Sequence, residues 1–100
     1  MKINRISNQR GAIGTSFHGQ TFEASTKQII KAIGNPDYRD GSKEKTTREW
    51  ELELEDGTPF TIYDWKEYRY FGDYEVIEWH IGARNSEDAD KALSAIKSAI

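Results

Sequence analysis

Residues 57–65 read Gly-Thr-Pro-Phe-Thr-Ile-Tyr-Asp-Trp, and this stretch predicts how the chain folds. Phe60 and Ile62 are two residues apart, which places them on the same face of a β-strand. The dipeptide Asp56-Gly57 is typical of a two-residue type I′ hairpin turn, because both of its central residues need positive φ. We therefore predict a strand over residues 58–63 that leaves a tight turn and ends in polar and aromatic residues.

Two further stretches alternate with the period of a strand. Over residues 50–55, one tryptophan and two leucines alternate with glutamates, and over residues 76–81 apolar side chains alternate with Glu78 and His80. This pattern indicates half-buried strands with one apolar and one polar face. The predicted inward residues are Trp50, Leu52, Leu54, Ile77, Trp79 and Ile81. Residues 13–20, which alternate weakly around Phe17, predict an additional strand.

Two segments have the spacing of amphipathic helices. In the first, Thr21 or Ser25 is a suitable N-cap and Gly34 a natural end. Asn85 or Ser86 caps the second. The predicted apolar stripes are Phe22, Ile29, Ile30 and Ile33 in the first helix, and Ala89, Ala92, Leu93, Ile96 and Ile100 in the second. Residues 37–45 and 66–74 lack a regular period, so we predict an exposed loop and an exposed hairpin tip or lid.

These elements predict an α+β fold, with an antiparallel sheet of three to five strands and two helices packed on one face. One hundred residues suit a single domain over 1–100, with residues 1–12 as a flexible arm or edge strand. The sequence contains no apolar run long enough for a membrane span and no apolar leader. It contains no cysteine, which fits a cytosolic protein.

Charge is distributed unevenly along the chain. The first 48 residues carry nine Lys/Arg and four Asp/Glu, whereas residues 49–100 carry five and thirteen, for a net charge of −3. This asymmetry suits complementary faces, so we expect a homo-oligomer. With a pI of about 5.4 and no dense basic stripe, we do not expect duplex nucleic acid as a partner. The alternating glutamates of residues 49–55 leave another function open, in which the protein mimics nucleic acid and binds a host protein.

The polar ends of the predicted strands form a candidate ligand site. Tyr63 and His80 lie near strand ends, and Asp64, Trp65 and Gly82 follow them. Such rings and hydrogen-bonding groups suit a ligand with rings and polar substituents. We expect no metal, because His18 and His80 lack the spacing of a metal site. Catalysis by His80 with a carboxylate is conceivable, whereas Ser16 and His18 lack the context of an activated nucleophile.

Three motifs resemble a family of small, mostly uncharacterised bacteriophage proteins. The family motifs are Gly-Thr-Ser-Phe-x-Gly, Thr-Ile-Tyr-Asp-Trp-Lys and Trp-His-Ile-Gly-Gly. They match residues 14–19, 61–66 and 79–83, with Ala83 in place of the last glycine, and the resemblance covers residues 14–100. It implies phage origin, a location in the host cytoplasm and an accessory role in countering host defence.

One class of such counter-defence proteins sequesters nucleotide signals, including cyclic dinucleotides and derivatives of ADP-ribose. By this resemblance Thr15 and Ser16 would donate to phosphate, Tyr63 or Trp65 would stack on a base, and Lys66 or His80 would supply donors or charge. The full candidate ligand-binding set is Thr15, Ser16, Phe17, Tyr63, Asp64, Trp65, Lys66, His80 and Gly82. We therefore predict a non-catalytic protein that sequesters a nucleotide-like molecule without a cofactor. The alternatives are an inhibitor of a host nuclease or defence complex, and an enzyme that cleaves a nucleotide signal.

Overall fold

The structure is a computed structural model that describes residues 2–6, 14–39, 47–65 and 71–100. The elements follow the order β1, β2, α1, β3, β4, β5, β6, α2. Their bounds are Ile3–Arg5 for β1, Ser16–Ser25 for β2, Thr26–Ile33 for α1, Tyr38–Arg39 for β3, Arg48–Leu54 for β4, Pro59–Tyr63 for β5, Val76–Ala83 for β6 and Ser86–Ala99 for α2. Within these described ranges, neither helix has the length and apolarity needed to cross a membrane.

All of the strand pairs in the described part of the chain are antiparallel, and the strands lie in the order β1-β4-β5-β6-β2. The short β3 pairs with the start of β4, on the same edge where β1 pairs with its end. The predicted α+β class, with an antiparallel sheet and two helices, is confirmed. Of the predicted N-terminal arm or edge strand, Ile3–Arg5 is an edge strand, and residues 7–12 lie outside the described residues.

The core lies between the sheet and the helices. Each strand of the β4-β5-β6 meander sends alternate side chains to this face, as the period-two pattern predicts. Trp50 and Trp79 are fully buried and meet edge to face, with ring centroids 5.4 Å apart. Around them pack Leu52, Leu54, Phe60, Ile62, Ile77 and Ile81 from the strands, and Ile29, Ala92 and Ile96 from the helices. The opposite side of the sheet, here called the outer face, carries the polar side chains of the same strands.

The first helix starts later than its apolar spacing predicted. Phe22 belongs to β2, where it pairs with Trp79, and α1 begins only at Thr26. Ser25 is the N-cap and forms a full capping box with Gln28, so the Thr21 alternative is wrong. The prediction failed at Phe22 because β2 continues directly into α1. An apolar residue near such a junction fits the period of a strand and that of a helix.

The hairpin turn has a different geometry from the predicted one. Gly57 N donates to Leu54 O at 2.8 Å, and Leu54 N donates to Thr58 O at 2.9 Å. Residues 55–57 therefore form a three-residue loop, and Gly57 at its end has the positive φ of 90° expected for a bulge after a type I turn. The predicted two-residue type I′ turn is wrong.

Two segments predicted as exposed loops contain structured residues. Tyr38–Arg39 forms β3 against β4, inside the predicted loop of residues 37–45. Phe71, in the predicted lid of residues 66–74, is only 3% exposed and packs edge to face with Trp79. The guanidinium of Arg48 lies 4.2 Å over the Phe71 ring. Residues 40–45 and 66–70 of these two segments lie outside the described residues.

Candidate functional site

The register of the sheet brings the three predicted segments together on the outer face. Tyr63 of β5 pairs with His80 of β6, and Phe17 of β2 pairs with Gly82, the next outer residue of β6. β6 therefore lies between the Gly-Thr-Ser-Phe and Tyr-Asp-Trp segments. The segments around Phe17 and Tyr63 are about 45 residues apart in sequence. They meet because β2 pairs with β6, at the far edge of the meander.

Four rings of these segments form a ring cluster, defined as Phe17, Tyr63, Trp65 and His80. The imidazole of His80 stacks on Phe17 at a centroid distance of 4.1 Å and an interplanar angle of 18°. It lies 6.1 Å from Trp65 at 26° and 5.6 Å from Tyr63 at 60°. Phe17 and Trp65 remain 43% and 40% exposed. The ring cluster is therefore centred on a histidine and leaves two large aromatic side chains partly exposed to solvent.

A bulge in β2 gives Phe17 this position. Between Phe17 and Thr21 the register shifts, so four steps along β2 oppose only two along β6. Gly19 lies within the shift with a φ of 104°, a conformation that residues with a side chain rarely adopt. The bulge separates Phe17 from the regular part of β2 and allows its ring to reach His80.

Beside the ring cluster lies an open depression of about 280 Å³, here called the depression. It is lined by Thr15, Ser16, Glu49, Glu51, Thr61, Tyr63 and Gly82. Its volume is slightly below the roughly 300–1,000 Å³ of typical small-molecule sites. Two larger clefts, of about 410 and 370 Å³, adjoin the end of α2, and none of the four clustered rings lines them. Of these three clefts, the depression is the one that a residue of the ring cluster, Tyr63, lines together with polar side chains.

Burial controls the protonation of the two central rings. Partial desolvation lowers the pKa of His80 below its ordinary value of 6.5, and the nearby carboxylate of Glu78 opposes that shift. Burial and then the charge of Glu49 raise the pKa of Tyr63 above its ordinary value of 10.0. At neutral pH the site therefore offers a neutral imidazole, with one donor and one acceptor nitrogen, and a protonated phenol.

The depressed pKa of His80 predicts how stability depends on pH. The unfolded chain takes up the imidazole proton near pH 6.5, whereas the folded protein takes it up only at lower pH. The stability associated with neutral His80 is therefore present above pH 6.5 and lost as the pH falls through the lower folded pKa. Urea denaturation between pH 7.5 and 5.5 should show a larger loss for the wild type than for His80→Gln. Equal losses in the two proteins would contradict this assignment.

Asp64 differs from the other predicted ligand residues, because it is 1% exposed and its carboxylate is fully engaged. One oxygen accepts from the backbone nitrogens of Thr47 and Arg48, both at 2.8 Å. The other accepts from the hydroxyl of Thr47 at 2.9 Å. Asp64 therefore holds the start of β4 against the end of β5 and is not available to a ligand. It is also not oriented to assist His80 as a base.

The remaining predicted residues divide into three groups. Thr15, Ser16, Tyr63 and Gly82 line the depression, and Phe17, Trp65 and His80 join Tyr63 in the ring cluster. Lys66 lies outside the described residues. Glu49 and Glu51 line the depression without having been predicted as ligand residues. Their strand alternation was clear, but only the register shows that Glu49 pairs with Tyr63 and Glu51 with Thr61.

Ser16 and His18 approach each other but do not form an activated nucleophile. Nε2 of His18 lies 3.1 Å from the carbonyl oxygen of Ala83 and 3.3 Å from Oγ of Ser16. A carbonyl oxygen only accepts hydrogen bonds, so the contact with Ala83 requires a proton on Nε2. The same nitrogen then has no lone pair with which to accept the hydroxyl proton of Ser16. This geometry supports a structural hydrogen bond and not nucleophilic catalysis.

The sequence matches no protein-family model and no curated protein. The resemblance to phage proteins therefore stays a prediction, and the functional argument depends on the geometry of the outer face.

Proposed function

We propose that the protein is a non-catalytic binding protein that captures and sequesters a nucleotide-like small molecule on its outer sheet face. The observation that carries this proposal is the ring cluster, in which His80 stacks on Phe17 and lies near-parallel to Trp65. Half-exposed rings around a neutral imidazole are surfaces on which a nucleobase stacks favourably, by about 1–3 kcal/mol per base. The adjoining depression, with hydroxyl, phenol and carboxylate groups, supplies polar contacts for orientation.

The biological setting that we propose is counter-defence by a bacteriophage in the host cytoplasm. Its ligand would be a signalling nucleotide such as a cyclic dinucleotide or an ADP-ribose derivative. We also propose a homo-oligomer, since the basic N-terminal and acidic C-terminal parts of the chain are electrostatically complementary. These elements follow from the motif resemblance and the charge distribution.

Ligand capture is testable by a thermal-shift screen followed by calorimetry. The panel includes nucleosides, mononucleotides, cyclic dinucleotides and ADP-ribose derivatives, and a tight ligand raises Tm by mass action. We expect Trp65→Ala and His80→Ala each to weaken binding by about tenfold or more, because each removes a stacking surface. Tyr74→Ala is the matched control, since Tyr74 is 80% exposed and precedes β6. Unchanged binding in both cluster variants would refute the site.

The same complex separates capture from catalysis. After heat denaturation of the complex, chromatography should recover the ligand chemically unchanged, whereas recovery of a product would favour the nucleotide-cleaving alternative. The engaged His18 and Asp64 described above support capture over cleavage.

A second candidate function is supported by the acidic side chains of the outer face. Glu49, Glu51 and Glu53 are the outer residues of β4, and Glu23 of β2 pairs with Glu78 of β6 on the same face, towards the other edge of the sheet. Such a face would suit a basic surface of a host nuclease or defence complex. If the thermal-shift screen finds no nucleotide or nucleoside that binds, this second function is favoured.

A further inference from the structure

One edge of the sheet is formed by β2. In the described part of the chain, β2 pairs only with β6, whereas β1 and β3 share the other edge. After the bulge, regular pairing runs from Thr21 to Ser25, whose backbone nitrogen donates to the side chain of Gln28 at 2.8 Å. An edge strand presents unpaired N–H and C=O groups that can accept a further strand.

The hydrogen-bond pattern of the sheet shows which groups of β2 reach this edge. Leu54 N donates to Thr58 O, so the even-numbered residues there bond to β4 and the odd-numbered residues of β5 bond to β6. Across β6, the same alternation directs the backbone groups of Phe22 towards β6 and those of Thr21 and Glu23 away from the sheet. These two residues therefore each offer a donor and an acceptor. Residues 21–23 are here called the free edge.

A cleft of about 370 Å³ lies along the free edge. It is lined by Thr21, Phe22, Glu23, Glu78, Ile96, Lys97 and Ile100. On the side of α2 its wall is apolar, because Phe22 and Ile96 are buried and Ile100 is a partly exposed isoleucine. On the outer face it carries the two glutamates. Space is therefore available beside the strand, with different chemistry on its two sides.

The negative charge on the outer side of the cleft is not compensated. Glu23 and Glu78 are directly paired and both exposed, an arrangement in which the two carboxylates repel each other. Neither has a hydrogen bond or an ion pair with any residue that the structure describes. Lys97 lines the same cleft from α2. A cationic group is therefore attracted to the outer side and repelled from the helix side.

We propose that the free edge binds an extended segment of a partner protein as an additional antiparallel strand, with a basic residue opposite Glu23 followed by an apolar one. Directly paired residues share a face of the sheet. The apolar residue, opposite Phe22, would thus pack on the apolar wall, while its neighbours lie on the outer side. Main-chain hydrogen bonds supply affinity in this mode of recognition, and the alternating side chains supply specificity. The ring cluster is not part of this surface, so strand addition and ligand capture are independent.

A second copy of β2 is a poorer occupant of the free edge. Pairing about Phe22 would place Glu23 of each copy opposite Thr21 of the other, and the two Glu23 residues would be diagonal neighbours about 7–8 Å apart. Each is also paired with Glu78 of its own chain, so four carboxylates would converge. A basic segment from a different protein removes this repulsion and is the occupant that fits.

Peptide binding, measured by calorimetry and by NMR of the ¹⁵N-labelled protein, tests strand addition. The probe is a short capped peptide in which lysine and valine alternate. We expect it to bind and to slow hydrogen exchange of the Thr21 and Glu23 amides by about tenfold or more. Methylation of its lysine backbone nitrogens, which would face the free edge, should weaken binding by about tenfold or more. Methylation of its valine backbone nitrogens, which would face solvent, is the matched control.

Charge reversals on the outer face supply matched protein variants. Glu23→Lys should weaken binding of the unmodified peptide by about tenfold or more. Glu53→Lys changes the net charge equally but lies on β4, so it should change binding by less than about twofold at physiological salt. Thermal denaturation of both variants confirms that the fold is retained.

Three results would overturn strand addition. Equal binding of the two methylated peptides, or equal losses in the two variants, would show attraction to the acidic face without backbone pairing. No binding of the alternating peptide would show that the free edge does not accept a strand. Slow exchange of the Thr21 and Glu23 amides in the free protein that disappears on dilution would assign the free edge to a second copy.

Discussion

Replacing Trp79 with alanine should lower the free energy of unfolding by about 3–5 kcal/mol, the largest stability effect that we expect from a single substitution. The side chain is fully buried on β6 and meets Trp50 and Phe71 edge to face. Its indole nitrogen donates to the carbonyl oxygen of Ala24 at 2.8 Å. Truncation would thus leave a large cavity and remove the hydrogen bond to the carbonyl oxygen of Ala24.

Urea denaturation at 25 °C measures this effect, with two further variants as references. Trp79→Phe keeps a large ring but loses the indole N–H, so we expect a loss of about 1–2 kcal/mol. Val76→Ala changes an exposed residue of the same strand, 57% accessible, and should change stability by less than about 0.5 kcal/mol. A loss below about 1 kcal/mol for Trp79→Ala would contradict the packing described for the core.

Replacing Asp64 with alanine should lower the free energy of unfolding by about 3 kcal/mol, although the sequence predicts this residue in the ligand site. The substitution removes the acceptor for the backbone nitrogens of Thr47 and Arg48 and for the hydroxyl of Thr47. Hydrogen bonds to a charged acceptor contribute more than neutral ones, and a buried donor left without a partner adds a desolvation penalty.

Asparagine at the same position separates the structural role from a ligand role. Oδ1 accepts both backbone nitrogens, and an asparagine oxygen can accept both as well, so Asp64→Asn should recover at least half of the lost stability. Its ligand affinity should equal that of the wild type. A stable Asp64→Asn protein with ligand binding weakened tenfold would show that Asp64 contacts the ligand after all.

The hairpin shows how far the sequence pattern alone can be taken. A two-residue loop at Asp56-Gly57 would place Glu51 opposite Ile62, yet directly paired residues share a face of the sheet. The alternation requires Glu51 outside and Ile62 in the core, which only an odd-numbered loop permits. The observed three-residue loop pairs Glu51 with Thr61. The face pattern therefore excluded a two-residue loop, and the preference of one dipeptide for a turn type was the weaker argument.

The role of Asp64 could not be predicted in the same way. Its neighbours in sequence, Tyr63 and Trp65, both belong to the ring cluster, and a polar residue between them suggests the same environment. Alternation along the extended chain instead directs Asp64 away from Tyr63, towards backbone donors at the start of β4. Those donors belong to Arg48 and Thr47, which precede Asp64 by 16 and 17 positions. No local pattern identifies them.

The sequence by itself determined the core-facing residues of the three-stranded meander and reduced each helix N-cap to two candidates. Apolar periodicity and capping chemistry are local properties, so Trp50 and Trp79 were identified from nearby residues alone, and Ser25 and Asn85 were each one of two candidates. Only the tertiary structure decided that β2 lies against β6, that Phe17 stacks on His80 and that two glutamates of β4 border the same depression as Gly82. Strand order and register are set by packing over the whole sheet, and the chemistry of the outer face follows from them.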